Sequence, residues 1–330
     1  MAYATITGVG AYLPERRLTN IDLEALVDTS DEWIASRTGI RERRVAGEGE
    51  TTASLGAEAA RAALADAGLE AGDLDLIVLG TSSPDHLFPS TASLLQAAIG
   101  ATCPAVDVLA ACTSFIFGMH HATCAIESGR ASRVLVVGSD TLTRHVDFTD
   151  RATCVLFGDG AGAVVVEASE EPGVLGIDLG TEGGAADLLS IPAGGSAAPA
   201  TPERLAAGDQ YIHMNGAEVF KFAVRVIPDT TRRALSASNL EIEDVTWLVP
   251  HQANQRILTA AAERLGMDFD RVFSNIELTG NTSAASIPLA LNDLYTDGQL
   301  RPGDVLALVG FGAGLTWGGA IVRWTKGTAR

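Results

Sequence analysis

The sequence predicts an α/β fold in which two similar halves face each other and stack into a five-layer α/β/α/β/α sandwich. Three observations support this expectation: an internal repeat, apolar strands that alternate with helices, and a composition rich in glycine and alanine. We expect the halves to span residues 1–172 and 173–330, because 330 residues are about two domains of ordinary size.

The clearest part of the repeat is a helix–turn–strand unit that recurs at an offset of 171 residues. Residues 61–78 resemble residues 232–249, and Arg, Ala, Leu, Leu, Glu, Asp and Val coincide. Both copies predict a helix that ends at Gly68 or Asn239, since these residue types suit the left-handed conformation that caps a helix C-terminus. In both copies a short turn then leads into an apolar strand.

Two further pairs share this offset. The apolar run 134–137 pairs with 305–308, and Cys112 pairs with Ser283, each inside a turn of small residues that opens a helix. Three coincidences at one offset indicate a duplicated α/β unit rather than chance.

The remaining elements follow from the apolar pattern. Short continuous apolar runs predict strands covered by helices on both faces, at residues 76–79, 134–137, 164–166 and 306–309. Helices are predicted at about 53–67, 113–129, 217–238, 254–265 and 284–297. A segment rich in Gly, Ala, Pro and Ser predicts one flexible loop in the second half, at 193–202.

Charge and composition exclude several functional classes. The formal net charge of −18 repels polyphosphate, so we expect neither nucleic-acid binding nor adsorption to an anionic membrane surface. The first residues lack the basic and apolar regions of a signal peptide, and no apolar run reaches the roughly 18 residues that span a bilayer. We therefore expect a cytoplasmic protein.

The four cysteines include no Cys-x-x-Cys pair, and a cytosolic chain of this length does not need disulfides. Three of them are interpreted as small buried hydrophobes: Cys103, Cys124 and Cys154. His120 and His121 lie near Cys124 in a predicted helix, but no second ligand pair completes a metal site. We expect no bound metal.

Cys112 is the candidate nucleophile. A strand runs into a tight turn of small residues, and a helix begins directly after the cysteine. Unpaired backbone N–H groups and the positive end of the helix dipole favour the thiolate there, and the thiolate is the form that attacks carbonyl groups. The turn alone leaves both a catalytic and a buried structural cysteine open.

The second half supplies two candidate partners. His251 directly follows a predicted buried strand and is preceded by Pro250, at a sheet edge where α/β folds keep their sites. Asn281 corresponds by the repeat to Ala110, two residues from the nucleophile. A lone histidine is more often structural, but the duplication places a cysteine turn and an asparagine turn on opposite sides of one cleft, which favours catalysis.

A glycine-rich stretch, Gly-Phe-Gly-Ala-Gly at 310–314, follows the last long strand. Glycines allow backbone N–H groups to approach a bound oxyanion closely. As an isolated feature this loop is a weak indication of function.

Several motifs match a known family in order along the chain. They include Ala111-Cys112, Val-Pro-His-Gln-Ala-Asn at 249–254, Gly-Asn-Thr-Ser-Ala-Ala-Ser at 280–286 and Gly-Ala-Gly-Leu-Thr-Trp-Gly at 312–318. Further matches lie at 30–34, 37–40, 149–151 and 157–162. Together they resemble β-ketoacyl-acyl-carrier-protein synthase III over essentially the whole chain.

The resemblance implies a thiolase fold, a homodimer and a decarboxylating Claisen condensation. A primer acyl-CoA, usually acetyl-CoA, would acylate Cys112. Malonyl-acyl-carrier protein would then lose carbon dioxide and attack the acyl group through its enolate, giving 3-oxoacyl-acyl-carrier protein and initiating fatty-acid synthesis. The coenzyme A thioester is a substrate, so the resemblance implies no resident cofactor.

The resemblance also implies roles for the central residues. The backbone N–H groups of Cys112 and Gly312 would form the oxyanion hole. His251 and Asn281 would donate hydrogen bonds to the malonyl thioester oxygen, where the enolate charge develops.

Four further residues would bind coenzyme A by the same resemblance. Trp33 and Arg151 would sandwich the adenine, which suits an aromatic face and a planar guanidinium. Arg37 would approach the phosphates and Asn254 the pantetheine arm.

Two positions relate to partners. Phe88 would cross the dimer interface and line the acyl pocket of the second subunit. Arg256 would receive the acidic carrier protein, against the opposing net charge of the enzyme itself. The chain departs from the family at Glu263, where a basic docking residue is common, and at Ala217, which replaces a frequent asparagine.

The nucleophile turn departs as well. It reads Cys112-Thr113-Ser114, where the family usually has a small residue followed by glycine. Ser114 would narrow the turn or add a hydroxyl near the thiolate. Primer length and carrier preference therefore stay open.

Other enzyme classes fit these residues to different degrees. A related condensing enzyme that uses a longer or unusual primer in secondary metabolism stays open. A degradative thiolase needs a second cysteine in the 310–318 loop, which has none, and an elongating synthase needs a second histidine where Asn281 stands, with His213 the other histidine of this half. A papain-like cysteine hydrolase also pairs Cys with His and Asn, but it would not explain the duplicated halves.

Overall fold

The computed structural model describes residues 2–327. In chain order its strands are β1 (Tyr3–Tyr12), β2 (Arg17–Thr19), β3 (Glu42–Arg44), β4 (Leu76–Gly80), β5 (Ala105–Val108), β6 (Arg133–Thr141), β7 (Asp159–Ser169), β8 (Val174–Thr181), β9 (Leu189–Ser190), β10 (His213–Met214), β11 (Trp247–Pro250), β12 (Val305–Gly312) and β13 (Thr316–Arg323). Its α-helices are α1 (Asn20–Glu24), α2 (Asp31–Thr38), α3 (Thr52–Ala67), α4 (Thr91–Ile99), α5 (Ser114–Glu127), α6 (Arg151–Cys154), α7 (Pro202–Ala206), α8 (Gly216–Ala237), α9 (Gln255–Leu265), α10 (Ile276–Thr279) and α11 (Ser286–Thr296).

Two large sheets share one topology. The first has the strand order β1-β7-β6-β4-β5 and the second β11-β12-β13-β8. In each sheet a parallel pair, β4–β6 or β11–β12, is followed by two antiparallel pairings. A single parallel bridge between Leu248 and Val272 lies beside β11, where β5 lies beside β4 in the first sheet. The two halves are therefore versions of one unit.

The layering follows from strands that are apolar on both faces. Along β6, Val134 and Val136 point into the central core, while Leu135 and Val137 point into an outer core with α3 and α4. Along β12, alternate residues divide in the same way between the central core and an outer core with α8 and α9. Helices α5 and α11 lie between the two sheets. The predicted five-layer sandwich is confirmed.

The predicted helix–turn–strand repeat is confirmed in detail. Gly68 and Asn239 both adopt left-handed conformations, with φ of 72° and 54°. The strands that follow begin at Leu76 and Trp247, which are 171 residues apart. The remaining predicted strands and helices also lie within a few residues of the observed elements.

The offset changes before the nucleophile turn. Ala111 and Ser283 both have φ of 49°, each begins a 3₁₀ turn, and the helices after these turns begin 172 residues apart. The predicted pairing of Cys112 with Ser283 is therefore wrong by one residue: Cys112 corresponds to Ala284. The reason is one additional residue between β11 and the second turn, which also makes Leu109 the counterpart of Asn281.

The glycine- and alanine-rich segment 193–202 forms turns between β9 and α7, with a hydrogen bond from Gly194 N–H to the Ala198 carbonyl at 2.8 Å. Its flexibility stays a prediction. Across residues 2–327, no helix is both long and apolar enough to cross a membrane.

Candidate active site

The Cys112 turn is held by the hydroxyls that follow the cysteine. Thr113 Oγ1 donates to the Ala110 carbonyl at 2.6 Å, and Ser114 Oγ donates to the Ala111 carbonyl at 2.7 Å. Ser114 Oγ also accepts a hydrogen bond from Ala110 N–H at 2.8 Å. These bonds fix the turn from which α5 begins, and the cysteine lies at the start of that helix as predicted.

Ser114 fits because the neighbouring strand carries no side chain opposite it. A Cβ added at Gly80 would lie 2.7 Å from Ser114 Cβ. The expectation that Ser114 brings a hydroxyl to the thiolate is not met, since its oxygen is engaged within its own turn. The departure from the family pattern is thus a structural adjustment of the turn.

The Cys112 thiol is buried, with 8% of the residue exposed. Burial raises the pKa of the thiol to about 12, the hydroxyl of Ser283 lowers it in part, and the charge of Asp140 raises it further. The thiolate predicted from the helix start is therefore not the resting form, because desolvation outweighs the helix dipole.

His251 is fixed at the end of β11. Its N–H donates to the Val309 carbonyl at 2.7 Å, and its ring lies edge-on to Phe311 with centroids 5.4 Å apart. Nδ1 lies 2.6 Å from Ser286 Oγ, and burial lowers the pKa of the imidazole to about 3. The ring is therefore neutral near pH 7, and a Ser286 hydroxyl that donates to Nδ1 would leave the ring proton on Nε2.

Asn281 has a fixed side-chain orientation. Its backbone N–H donates to the Leu156 carbonyl at 2.8 Å, and its Oδ1 accepts from Ser283 N–H at 2.9 Å. Because the carbonyl end of the amide is engaged, the Nδ2 group remains as a hydrogen-bond donor. The residue is buried.

These residues meet in one cleft, as predicted. Cys112, His251, Asn281, Phe311 and Gly312 all line it. A Cβ added at Gly312 would lie 2.7 Å from Cys112 N, so the two backbones run side by side. This contact brings the two proposed oxyanion-hole residues together.

A second, apolar cavity of about 270 Å³ opens from the same sulfur. Its lining includes Leu142, Phe157, Leu189, Ile191 and Ile212. Residues 193–210 do not line it, whereas Ile191 and Ile212 on either side of them do. Cys112 thus lies between the cleft that contains His251 and Asn281 and a separate apolar cavity.

The four predicted coenzyme A residues line the cleft that contains His251 and Asn281. The Arg151 guanidinium lies over the Trp33 ring, with Cζ 4.9 Å from its centroid, and donates to the Asp28 carbonyl. At this separation no aromatic ring fits between the two side chains, since a stacked aromatic pair alone needs about 4.5–7 Å. Asn254 donates to the Arg37 carbonyl at 3.1 Å and caps the N-terminus of α9.

The predicted partner-facing residues lie on the surface. Phe88 is 86% exposed and does not line the cavity of its own chain. Arg256 is exposed and lies over Phe220, with Cζ 5.8 Å from the ring centroid. His213 is exposed and hydrogen-bonded near Gly208, away from the cleft.

Cys124 is exposed, so its interpretation as a buried cysteine is wrong. Its Sγ lies 3.7 Å from His120 Nε2 on α5. Over residues 2–327 no group of three or more His, Cys, Asp or Glu side chains is arranged to hold a metal ion.

Sequence reasoning missed the parts played by two serines and an aspartate. Ser283 contacts the nucleophile, Ser286 contacts the imidazole, and Asp140 accepts hydrogen bonds from both halves. The serines belong to the matched 280–286 motif, but the sequence does not indicate where each hydroxyl points. Asp140 could have been noticed because it lies near the end of the buried strand β6.

A buried cysteine at a helix start, a neutral histidine and an asparagine amide on this duplicated sandwich define a cysteine-dependent acyltransferase of the thiolase fold. A papain-like hydrolase is excluded by that architecture. Models of 3-oxoacyl-acyl-carrier-protein synthase III match residues 106–183 and, as the C-terminal part of that family, residues 235–324. The chain belongs to the 3-oxoacyl-acyl-carrier-protein synthase III family.

Similar proteins cover the full chain. The β-ketoacyl-acyl-carrier-protein synthase III of Roseiflexus castenholzii is 52% identical over 98% of this chain and 99% of its own length. The crystal structure of 3-oxoacyl-(acyl carrier protein) synthase III from Pseudomonas aeruginosa has a TM-score of 0.91 at 44% identity, covering 99% of this chain and 100% of that one. The priming β-ketosynthase of the R1128 polyketide pathway has a TM-score of 0.92 at 34% identity, covering 98% and 97%.

Proposed function

We propose that this enzyme condenses a primer acyl-CoA with malonyl-acyl-carrier protein through an acyl-Cys112 intermediate, and so initiates fatty-acid synthesis. One observation carries the proposal: Cys112 lies at the junction of an apolar cavity and a cleft lined by His251, Asn281 and Gly312. The cavity suits an acyl chain, and the cleft offers donors to a thioester oxygen. Its membership of the synthase III family supports the same reaction.

The first half-reaction transfers the primer. The Cys112 sulfur attacks the acyl carbonyl, and the negative oxygen of the tetrahedral intermediate lies between the N–H groups of Cys112 and Gly312. The carbon–sulfur bond to coenzyme A breaks, and the proton lost by Cys112 balances the one gained by the coenzyme A thiolate. The acyl chain then occupies the apolar cavity.

The second half-reaction forms the carbon–carbon bond. His251 Nε2–H and Asn281 Nδ2–H donate to the malonyl thioester oxygen while carbon dioxide leaves, which stabilises the enolate. The enolate carbon attacks the acyl carbonyl, and the intermediate collapses to expel the Cys112 thiolate, which takes one proton from solvent. The atoms balance without a redox cofactor or a metal ion.

Acetyl-CoA is the proposed primer, with a longer acyl chain as the alternative that the cavity volume leaves available. The acyl-CoA would enter past four residues that share a position along the cleft, which supports this route: Trp33, Arg37, Arg151 and Asn254. The exposed Arg256 at the edge of this cleft supports docking of an acidic carrier protein.

A homodimer is part of the proposal. Leu87 and Phe88 are 81% and 86% exposed, and Val106 on the edge strand β5 is 46% exposed. An edge strand next to exposed large apolar side chains favours association with a second copy. In that arrangement Phe88 would reach the acyl pocket of the second subunit.

Radiolabelled acetyl-CoA tests the function. We expect wild-type protein to retain the label, Cys112→Ala to lose it, and Cys124→Ala, which removes an exposed thiol from the same helix, to keep it. Peptide mass spectrometry after exposure to acyl-CoAs of increasing length identifies both the acylated residue and the preferred primer. A wild-type protein that no acyl-CoA in the panel acylates would contradict the proposal.

A further inference from the structure

We propose that Ser283 is a further catalytic residue, whose hydroxyl donates a hydrogen bond to the Cys112 sulfur whenever that sulfur carries negative charge. This inference rests on the proposed acyl-Cys112 chemistry and adds a residue to it. It concerns the nucleophile, whereas His251 and Asn281 act on the malonyl thioester.

The contact is direct and buried. Ser283 Oγ lies 3.3 Å from Cys112 Sγ, and both residues are almost fully buried, with 1% and 8% exposed. A hydrogen bond to a charged group in such surroundings is stronger than a neutral one, because little water competes for either partner. The hydroxyl is thus favourably located to stabilise a thiolate.

Ser283 contacts two catalytic side chains, one through its backbone and the other through its hydroxyl. Its backbone N–H donates to Asn281 Oδ1 at 2.9 Å, and its side chain reaches Cys112. The backbone therefore orients the amide that faces the malonyl group, while the hydroxyl faces the sulfur. These two functions are separable by mutation, since alanine retains the N–H.

The backbone conformation at this position does not account for the serine. Ser283 has a φ of 49°, in the left-handed region that glycine adopts at lower cost. The counterpart position in the first turn, Ala111, has the same φ with no polar side chain. The turn itself therefore does not require a serine.

The surroundings of the sulfur lack a compensating positive charge. Asp140, from the end of β6, is fully buried and raises the pKa of the Cys112 thiol, while His251, after β11, is held neutral. The sequence of β12 and the 283–285 turn contains no ionisable residue, the arginine of β13 is at its far end, and the ionisable residues of α5 begin at His120, two turns from the cysteine. The start of α5, the Ser283 hydroxyl and the backbone N–H of Cys112 are the features that favour the thiolate.

The hydroxyl would act at two points in the cycle. In acylation it stabilises the sulfur that attacks the acyl-CoA carbonyl, as the thiol proton is lost. In condensation it stabilises the same sulfur when the tetrahedral intermediate expels it. Between these points the sulfur is a neutral thioester, and the bond contributes little.

The test compares Ser283→Ala with Ser286→Ala, which removes a hydroxyl from His251 instead of from Cys112. For Ser283→Ala we expect the iodoacetamide alkylation rate of Cys112 to fall about tenfold at each pH from 7 to 9, and acylation by acetyl-CoA to slow by a similar factor. Ser286→Ala should retain the wild-type alkylation rate. Release of carbon dioxide from malonyl-acyl-carrier protein by preformed acyl-enzyme should stay within about threefold of wild type in Ser283→Ala.

Ser283→Gly provides a second variant that suits the left-handed backbone, and it should show the same slower alkylation. An unchanged alkylation rate in both Ser283 variants would overturn the inference, as would an equal loss in Ser286→Ala. Alkylation needs no substrate, so failure here is distinct from failure of the proposed function, which shows as a wild-type enzyme that acyl-CoA does not acylate.

Discussion

The two turns that begin α5 and α11 have the same backbone and different chemistry. Both are 3₁₀ turns whose first residue has a φ of 49°, and both lead directly into a helix between the sheets. The first presents Ala111 and Cys112, and the second presents Ser283 and Ala284 at the equivalent positions. Duplication thus determined where functional groups can lie, and substitution determined which turn carries the nucleophile.

The residues before and after the turns extend this contrast. Leu109 is 75% exposed and borders the apolar cavity, whereas its counterpart Asn281 is buried and lines the cleft that contains His251. Ser114 bonds to its own turn, whereas its counterpart Ser286 bonds to the imidazole of His251. In the proposed mechanism the first turn carries the acyl group, Asn281 and Ser286 beside the second turn serve the malonyl group, and Ser283 reaches across to the nucleophile.

The largest expected effect comes from adding a methyl group at Gly312, where the backbone lies against the first turn. A Cβ at Gly312 would lie 2.7 Å from Cys112 N, whereas one at Gly310 meets its nearest atoms at 3.4 Å. We expect Gly312→Ala to lower the acylation rate about 100-fold, because the clash displaces the Gly312 N–H and has the typical effect of losing one oxyanion donor. Gly310→Ala is the matched control and should retain most of the rate in single-turnover acylation. Equal losses in the two variants would argue against an oxyanion site at Gly312.

Substitution of the counterpart serines, Ser286 and Ser114, should produce smaller effects, one on a half-reaction rate and the other on stability. Ser286→Ala releases the His251 ring, so decarboxylation of malonyl-acyl-carrier protein should slow about tenfold, the effect of one lost hydrogen bond, with acylation little changed. Ser114→Ala loosens the first turn and should instead lower the free energy of unfolding by about 1 kcal/mol. Half-reaction rates and chemical denaturation measure the two effects. Loss of acylation in Ser286→Ala would remove the proposed division between the turns.

The last effect is the pH dependence of stability that the buried imidazole imposes. Its pKa is about 3 in the folded protein, below the ordinary value of 6.5, so the unfolded chain binds more protons between those values. The contribution is fully present above pH 6.5 and is lost as the pH falls, by about 1.4 kcal/mol per unit at most. Between pH 6.5 and 5.5, denaturation of wild type should therefore reveal a steeper loss than denaturation of His251→Gln. Parallel curves would mean that His251 becomes protonated within the folded protein.

Much of this arrangement could be predicted from the sequence. The apolar runs and the helix–turn–strand repeat indicated the two sheets, and the turn residues indicated that Cys112, His251 and Asn281 share one cleft. The one-residue change of register was not predictable, because a single additional residue within a loop leaves the helix and strand patterns intact. It appears only in the equivalent left-handed residues, Ala111 and Ser283.

Side-chain environments were less predictable than positions. The helix start predicted a thiolate at Cys112, but burial between the layers raises the pKa of the thiol and reverses that expectation. The stacking of Arg151 on Trp33 was also not predictable. The resemblance assigned both residues to the same ligand, which does not indicate whether the two side chains contact each other. Both outcomes depend on distances that only the folded chain defines.

The division of labour between the two turns is tested most directly by measuring both half-reactions in three variants. We predict that Cys112→Ala loses acylation, whereas His251→Ala and Asn281→Ala are acylated by acetyl-CoA as wild type is. In the latter two, carbon dioxide release from malonyl-acyl-carrier protein should fall about 100-fold or more. Equal loss of acylation and decarboxylation in His251→Ala and Asn281→Ala would contradict the account, because it would mean that these residues activate the thiol instead.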